Sequence, residues 1–333
     1  MKKKILTLLA SMALLLSACG GQQVNQEASG DLYTIGISQF AQHPSLDNIR
    51  EGIIEGLKES GYTEGENIEI DYQNSDTKID VANQIASNFV SKGYDMVVGI
   101  ATPSAMAAYN VTNKNDIPLI FSGVSDPIGA GLVDENNNPI GKVTGVSDGL
   151  PVENQLKMIR EISPEAKTLG ILYTTSEANS VSTIEFYKSL VANYGFELEV
   201  VGVSSSAEIP MATDTILSKV DALSNITDNT VVNSLPTILS KAKEQNIPVF
   251  GSEIEQIKTG SLAAEGIDYF ELGKITGQMA AKVIGGENIE EIQAVQVTDS
   301  NLYINKKVAE ELGIQLDQGL LDRALEVYDD IQN

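Results

Sequence analysis

The sequence is short of most residues from which catalytic and metal sites are made. Its 333 residues include one cysteine, Cys19, one histidine, His43, and no tryptophan, and aromatic residues make up 5% of the chain. One cysteine and one histidine cannot supply a CxxC pair, an HExxH helix or a Cys/His zinc set. Most thiol, haem and zinc chemistry is thereby excluded, and no metal or other cofactor is expected. Basic residues are scarce too: 22 Lys and Arg stand against 46 Asp and Glu, a formal net charge of −24. That charge repels phosphate backbones and anionic headgroups, which argues against nucleic acid as a partner. GxxxxGK[ST] and GxGxxG are absent, and Gly129-Ala-Gly131 lacks a third glycine, so phosphate cradling has no signal. Beyond Leu16 no apolar run approaches the roughly eighteen residues of a membrane helix.

What is present begins with an address. Met1–Lys4 carries three lysines, and Ile5 to Leu16 is an apolar run of about twelve residues. That length suits a signal-peptide hydrophobic region and is too short for a stable span. Leu16-Ser17-Ala18-Cys19 resembles a bacterial lipobox, in which the cysteine is lipidated and the chain is cut before it. The alternative is a plain secretory cleavage site followed by a chance cysteine. The expectation is a signal peptide over 1–18, lipid attachment at Cys19, and a polar tether over 19–30. Processing removes Lys2, Lys3 and Lys4, so attachment to the cell membrane rests on lipid rather than on basic residues. The body of the protein is expected outside the cytoplasm, as a monomer.

The length suggests two domains at roughly 150 residues each, and from residue 31 the pattern repeats. Tyr33–Ile37, Ile68–Tyr72, Asp95–Ile100 and Ile117–Phe121 read as strands. Helix-period segments follow the first two: Leu46, Ile49, Ile53 and Leu57, then Val81, Ile85 and Phe89. Thr168–Tyr173, Leu198–Val203, Asp221–Ile226 and Ile247–Phe250 repeat the order, with Ile184, Tyr187, Val191 and Tyr194 lining a helix. Leu272, Ile275, Met279 and Val283 mark a further helix, Val295–Val297 a strand, and Val308–Leu312 and Leu321–Tyr328 helical segments. Alternating strands and helices make parallel sheets covered on both faces. The expected fold is α/β: two doubly wound parallel-sheet domains joined by a three-segment hinge, with a ligand cleft between them. The lobes are expected at 31–148 plus 266–294 and at 149–265 plus 295–333, with crossings near 146–150, 264–268 and 293–297.

Ligands of open parallel sheets sit beyond the carboxyl ends of the strands, and polar residues follow almost every strand here. Gln39, Phe40 and His43 follow the first, and Phe40 and His43 could stack on a flat side chain or be a rim hydrophobe and a turn residue. Thr102 and Ser104 follow the third, with Thr102 as N-cap and Pro103 as first helical residue; such a helix start can hold a carboxylate or be a plain cap. Ser125 and Asp126 follow the fourth. In the second unit the matching places hold Ser176 and Asn179, then Asp228 and Asn229, then Glu253. Asp228 is either an N-cap or the partner of a ligand ammonium, which with Thr102 and Ser104 would select a zwitterion. A triad of His43, Asp47 and a serine lacks a G-x-S-x-G elbow. Asp134–Asn138 fails as a calcium loop, because Pro139 and Gly145 stand where the turn glycine and the bidentate glutamate belong.

IGISQFAQHPSLD, GIATPSA, FSGVSDPIGAGLV, VTGVSD, YTTSEANS, ITDNTVV, IPVFGSE and GIDYFELGKITG, in that order, resemble the substrate-binding lipoproteins of ABC transporters related to tryptophan and tyrosine uptake. The resemblance spans about residues 31 to 312. It implies a type I periplasmic-binding-protein fold and no catalytic residues. It implies delivery of a small ligand to an ABC permease with its ATPase subunits. The implied cleft has Gln39, Phe40, His43, Thr102, Ser104, Ser125 and Asp126 on one side, Ser176, Asn179, Asp228, Asn229 and Glu253 on the other, and Asp268 near a crossing. The expected ligand is an aromatic amino acid: tryptophan, tyrosine or phenylalanine. A sugar, a nucleoside, a branched-chain amino acid or a sensory role are the alternatives. With no tryptophan in the chain, an aromatic clamp must use Phe or Tyr.

Overall fold

Runs of Val, Ile and Leu bounded by turn residues form the strands of two sheets, and the alternation of their side chains decides how each sheet is covered. A computed structural model describes residues Leu32–Gln332. The expected signal peptide, Cys19 and the tether lie outside the described residues. In chain order the strands of the first repeat are β1 (Tyr33–Gln39), β2 (Ile68–Asn74), β3 (Met96–Ile100), β4 (Leu119–Ser122) and β5 (Val143–Ser147). Then follow β6 (Thr168–Thr174), β7 (Glu197–Val203), β8 (Ala222–Ser224), β9 (Val249–Phe250) and β10 (Ala263–Gly266). The chain ends with β11 (Val295–Gln296), β12 (Asn301–Asn305) and β13 (Glu326–Tyr328). The helices are α1 (Pro44–Glu59), α2 (Ile79–Lys92), α3 (Thr102–Thr112), α4 (Val152–Ile162), α5 (Ala178–Leu190) and α6 (Ile209–Leu217). They continue as α7 (Asn229–Asn233), α8 (Leu235–Glu244), α9 (Ile254–Thr259), α10 (Tyr269–Ile284), α11 (Lys306–Leu312) and α12 (Gln318–Arg323).

The first sheet has the order β11-β5-β4-β3-β1-β2, all pairs parallel. In the second, β7-β6-β8-β9 are parallel. Two backbone hydrogen bonds, Leu262 N–H to the Val249 carbonyl and Gly251 N–H to the Ala263 carbonyl, carry that sheet on to β10. Strand β12 then pairs antiparallel with β10 and parallel with β13. Both repeats therefore place their second strand outermost, then the first, third and fourth. Strand order reverses between β1 and β3 in one lobe and between β6 and β8 in the other, where doubly wound folds bind ligands.

Both faces of each sheet are dry. Met96, Val98, Ile100 and Ile120 pack with α1 and α10, while Val97, Leu119, Phe121 and Val143 pack with α2 and α3. Leu169 and Ile171 pack with α4 and α5, and Leu172 and Leu223 with α6 and α8. Helices α1 and α10 cross at backbone contact. A Cβ added at Gly273 would strike the Ile49 carbonyl oxygen, one at Gly277 that of Ile53, and one at Gly52 that of Phe270.

The two sheets lie within one compact unit, Leu32–Asn333, and the chain passes between them three times: after β5, between β10 and α10, and between β11 and β12. The third passage falls later than the sequence pattern suggests. Val295 pairs with Val146 and Gln296 with Ser147, and Val297 N–H donates to the Ser147 carbonyl, so 295–297 closes the edge of the first sheet. The helix expected over Leu321–Tyr328 is instead α12 followed by strand β13. Ala324 turns to extended dihedrals, and Leu325 N–H is taken by the Leu302 carbonyl. Strands β5, β10 and β12 carry no signal in the periodicity reading.

Candidate functional site

At the first reversal point, β1 and β3 deliver two helix starts side by side. His43 is the N-cap residue of α1, with Pro44 opening the helix, and its side chain makes no capping bond. Helix α3 begins differently from the expectation. Ala101, at φ 71° and ψ 154°, is the N-cap residue, and Thr102 and Pro103 are the first two helical residues. That dihedral pair is costly for any residue with a Cβ. As a result the Thr102 hydroxyl caps nothing; it is buried and has no partner. The N–H groups of Thr102 and Ser104 also have no partner within the helix, as in any first turn. Gly123 and Ser125 approach from the end of β4.

The second reversal point faces the first. Asn179, after β6, donates from Nδ2 to the Thr227 carbonyl at 2.9 Å, and its Oδ1 is buried without a partner. Asn229, at the start of α7, donates to Glu177 Oε2 at 2.7 Å. The crossing segments close the sides. Asp148 follows β5, Tyr269 begins α10, and the Tyr269 hydroxyl donates to Asp148 Oδ2 at 2.8 Å. Asp148 Oδ1 has no partner. Glu253, after β9, accepts from Gln256 Nε2 at 2.8 Å.

These groups surround a cavity of about 20 Å³ between the lobes, completed by Leu46, Ala101 and Val232. Four of its residues carry a buried polar atom with no partner: His43 Nδ1, Thr102 Oγ1, Asp148 Oδ1 and Asn179 Oδ1. Unpaired buried polar groups are costly, so their convergence on one small space makes it the candidate ligand site. The lobes touch around it. His43 Nε2 lies 3.4 Å from Asn229 Oδ1, Asn48 Nδ2 donates to Glu255 Oε1 at 2.7 Å, and Ser125 Oγ lies 3.3 Å from Thr227 Oγ1. Ser182 Oγ also donates to Asp126 Oδ2 at 2.5 Å.

The electrostatics favour a cation. Among the described residues no Lys or Arg lines the cavity, while Asp148 and Glu253 do. Burial pushes the Asp148 carboxyl up, opposed by the hydrogen bond from Tyr269. Burial, with Glu255 beside it, pushes Glu253 up to about 8. Burial holds His43 down to about 4, so its imidazole is neutral.

Of the thirteen residues singled out in the sequence, His43, Thr102, Ser125, Asn179, Asn229 and Glu253 line the cavity; the other seven do not. Gln39 is buried and spent on Ala41 and Asp47 through Nε2 and on Arg50 through Oε1. Phe40 belongs to the core of the first lobe, not to a stacking surface. Ser104 takes a hydrogen bond from Ser38. Asp126 bonds the Gly129 N–H and Ser182. Ser176 is exposed, and Asp268 caps α10 through the N–H groups of Phe270 and Glu271. Asp228 is the clearest correction. It is fully buried and accepts from Val231 N–H, from the N–H and hydroxyl of Thr174, and from the Ser180 hydroxyl. No direction is left for a ligand ammonium. The acid that keeps a free oxygen on the cavity is Asp148, which strand-end reasoning missed because it lies on a crossing. Its one signal is that an acid on such a segment must pass the mouth of the cleft.

A profile of the ABC transporter substrate binding protein family matches residues 34–328. The chain belongs to that family. A tyrosine-binding protein of Clostridioides difficile is 36% identical over 323 residues, covering 94% of this chain and 93% of the relative. Among solved structures, an ABC domain from Streptococcus pneumoniae in complex with L-Trp is 37% identical. It covers 89% of this chain and 99% of its own, with a TM-score of 0.86. A ligand-free, open substrate-binding protein with adhesive properties from Clostridium difficile is 35% identical, with 90% and 100% covered and a TM-score of 0.67. At nearly equal identity, this substrate-binding protein overlays better on the tryptophan complex than on the open form, in keeping with the hydrogen bonds between its lobes. Two parallel sheets with reversal points facing each other are the type I periplasmic-binding-protein fold.

Proposed function

We propose that this substrate-binding protein closes on a free amino acid with an aromatic side chain, tyrosine or tryptophan, outside the cytoplasm and hands it to an ABC permease. The observation that carries the reading is the set of unpartnered polar atoms on one cavity. Thr102 Oγ1, with the free N–H groups of α3 and the positive end of its dipole, takes the carboxylate. Asp148 Oδ1 and Asn179 Oδ1, with Glu253 beside them, take the ammonium. The ligands named for the relatives, tyrosine at 36% identity and L-Trp at 37%, support an aromatic side chain. Cys19, the only cysteine, supplies the lipid that holds a monomer at the membrane, and the ligand reaches the permease and its ATPase subunits by diffusion of the tethered lobes. The protein acts by binding and release, with no cofactor. The three crossings and the lobe pairs 31–148 plus 266–297 and 149–265 plus 298–333 supply the hinge.

The test is a thermal melt of the protein with L-tyrosine and L-tryptophan beside their N-acetyl and amide forms. A ligand at a hundredfold excess over Kd stabilises the folded state by about 2.7 kcal/mol. The free amino acids should raise the melting temperature, the N-acetyl forms should not, and the amides should do so weakly. A flat response to amino acids together with a shift by a sugar or nucleoside overturns the reading. Release of the protein from membranes by Cys19→Ser tests the anchor, and retention overturns it.

A further inference from the structure

The cavity that gathers Thr102, Asp148 and Asn179 measures about 20 Å³, room for about one water molecule and none for an aromatic side chain. Beside it an open groove of about 910 Å³ runs between the start of α1, at Pro44, Ser45 and Asn48, and the second lobe, where Leu235, Pro236, Leu239 and Ile247 line it. That volume falls within the span of small-molecule sites, about 300–1,000 Å³. His43, Val232 and Glu253 line both spaces, so these three side chains are the partition between them.

The three are held unequally. Glu253 is tied to Gln256 at 2.8 Å, and Val232 is fixed within α7. His43 caps nothing, meets Asn229 only at 3.4 Å, at the long end of hydrogen-bond geometry, and leaves Nδ1 buried without a partner. Its imidazole is neutral, so moving it strips no buried charge. On the groove side, Ser45 Oγ and Glu255 Oε2 are also buried and unpartnered.

We propose that His43 is a displaceable partition: a bound amino acid keeps its ammonium and carboxylate in the cavity and sends its side chain past the imidazole into the groove. His43 and Val232 then decide which side chains are accepted. Leu235 and Pro236 take the ring, and Ser45 and Glu255 are placed to meet a polar group at its far edge, a phenol hydroxyl or an indole N–H. The inference rests on the amino-acid reading above and adds where the side chain goes.

The experiment measures Kd for L-alanine, L-tyrosine and L-tryptophan by titration calorimetry, with ligand-detected NMR for weak cases. It compares the wild type, His43→Ala and Val232→Trp, with melts to confirm folding. Val232→Trp narrows the passage and should weaken tyrosine and tryptophan by about tenfold or more relative to alanine. His43→Ala opens it and should strengthen the two aromatics relative to alanine by about threefold or more. A shift by the same factor for all three ligands in His43→Ala overturns the partition, because His43 then touches the shared head group. An aromatic preference unchanged in both variants overturns it as well. A wild type that binds none of the three overturns the amino-acid reading and this inference together.

Discussion

Strands β3 and β8 are the third strands of the two repeats, and the helices that follow them, α3 and α7, begin at facing points of the two lobes. Their first turns differ in what they leave undone. At α7, Asp228 takes the Val231 N–H, both donors of Thr174 and the Ser180 hydroxyl, and Glu177 takes the N–H groups of Asn229 and Thr230. Every local donor is answered, at the cost of two buried carboxyls. Burial, and for Glu177 the neighbouring Asp228, pushes both up. At α3, Ala101 holds a strained N-cap with no polar side chain, and Thr102 is left with an unanswered hydroxyl. One helix start answers its own donors and the other leaves them open. A polar, helix-starting residue beyond a strand is therefore only half of a binding-site argument; the other half is whether something in the chain already occupies it.

The largest test of that contrast is Asp228→Ala. It orphans several buried donors at about 1–3 kcal/mol each, so urea unfolding should show a loss of about 4 kcal/mol or more, while the folded protein retains its ligand affinity. Asp148→Asn should do the reverse. Losing a charged hydrogen bond of about 1.5–3 kcal/mol weakens amino-acid binding roughly 10- to 100-fold by calorimetry, with stability unchanged or raised because a buried charge is gone. Thr102→Val should cost about tenfold in affinity and leave the unfolding midpoint in place.

A pH series sharpens the same comparison through the cavity acids. Glu253, raised to about 8 in the fold, keeps its proton there after the unfolded chain has lost its own. Its contribution is whole below about pH 4.5 and is lost as pH rises toward 8. His43, lowered to about 4, works oppositely between about pH 4 and 6.5. From pH 6.5 to 8 only the first effect remains of the two. The ligand-free melting temperature should fall across that window, and Glu253→Gln should flatten the fall. The smallest effect is Ala101→Gly, which relieves the positive-φ backbone and should stabilise the protein by about 1 kcal/mol on a urea melt.

The alternation of apolar runs is enough to place the first four strands of each repeat along the chain, because parallel strands buried on two faces have few other ways to look. The same reading singles out His43, Thr102, Asn179 and Glu253, which line the cavity between the lobes, since strand ends at a reversal point are where side chains reach the cleft. It could not tell Thr102 from Asp228. Both stand at helix starts, and only the fold brings Thr174 and Ser180 against one of them and nothing against the other. Gln39 and Phe40 were misplaced for a similar reason. The end of β1 turns inward, so that Gln39 serves Ala41 and Arg50 and Phe40 enters the core, and the cleft is first reached at His43. Asp148 and Tyr269 lie on segments that belong to neither sheet, where no period marks them.

The crossing of α1 on α10 has a bearing on how such a site changes over time. Four glycines let the two backbones touch. The leading end of α1 carries His43 and Leu46, and the leading end of α10 carries Tyr269, which holds Asp148. The welded pair therefore works like the fixed jaw of a calliper. A methyl group added at Gly273 would not touch the cavity, yet it would spread the jaw and be read as a loss of affinity. Drift toward new ligands is left to the sliding jaw, where Asn179 on α5, Asn229 and Val232 on α7, and Glu253 ahead of α9 stand on three separate elements that can change one at a time.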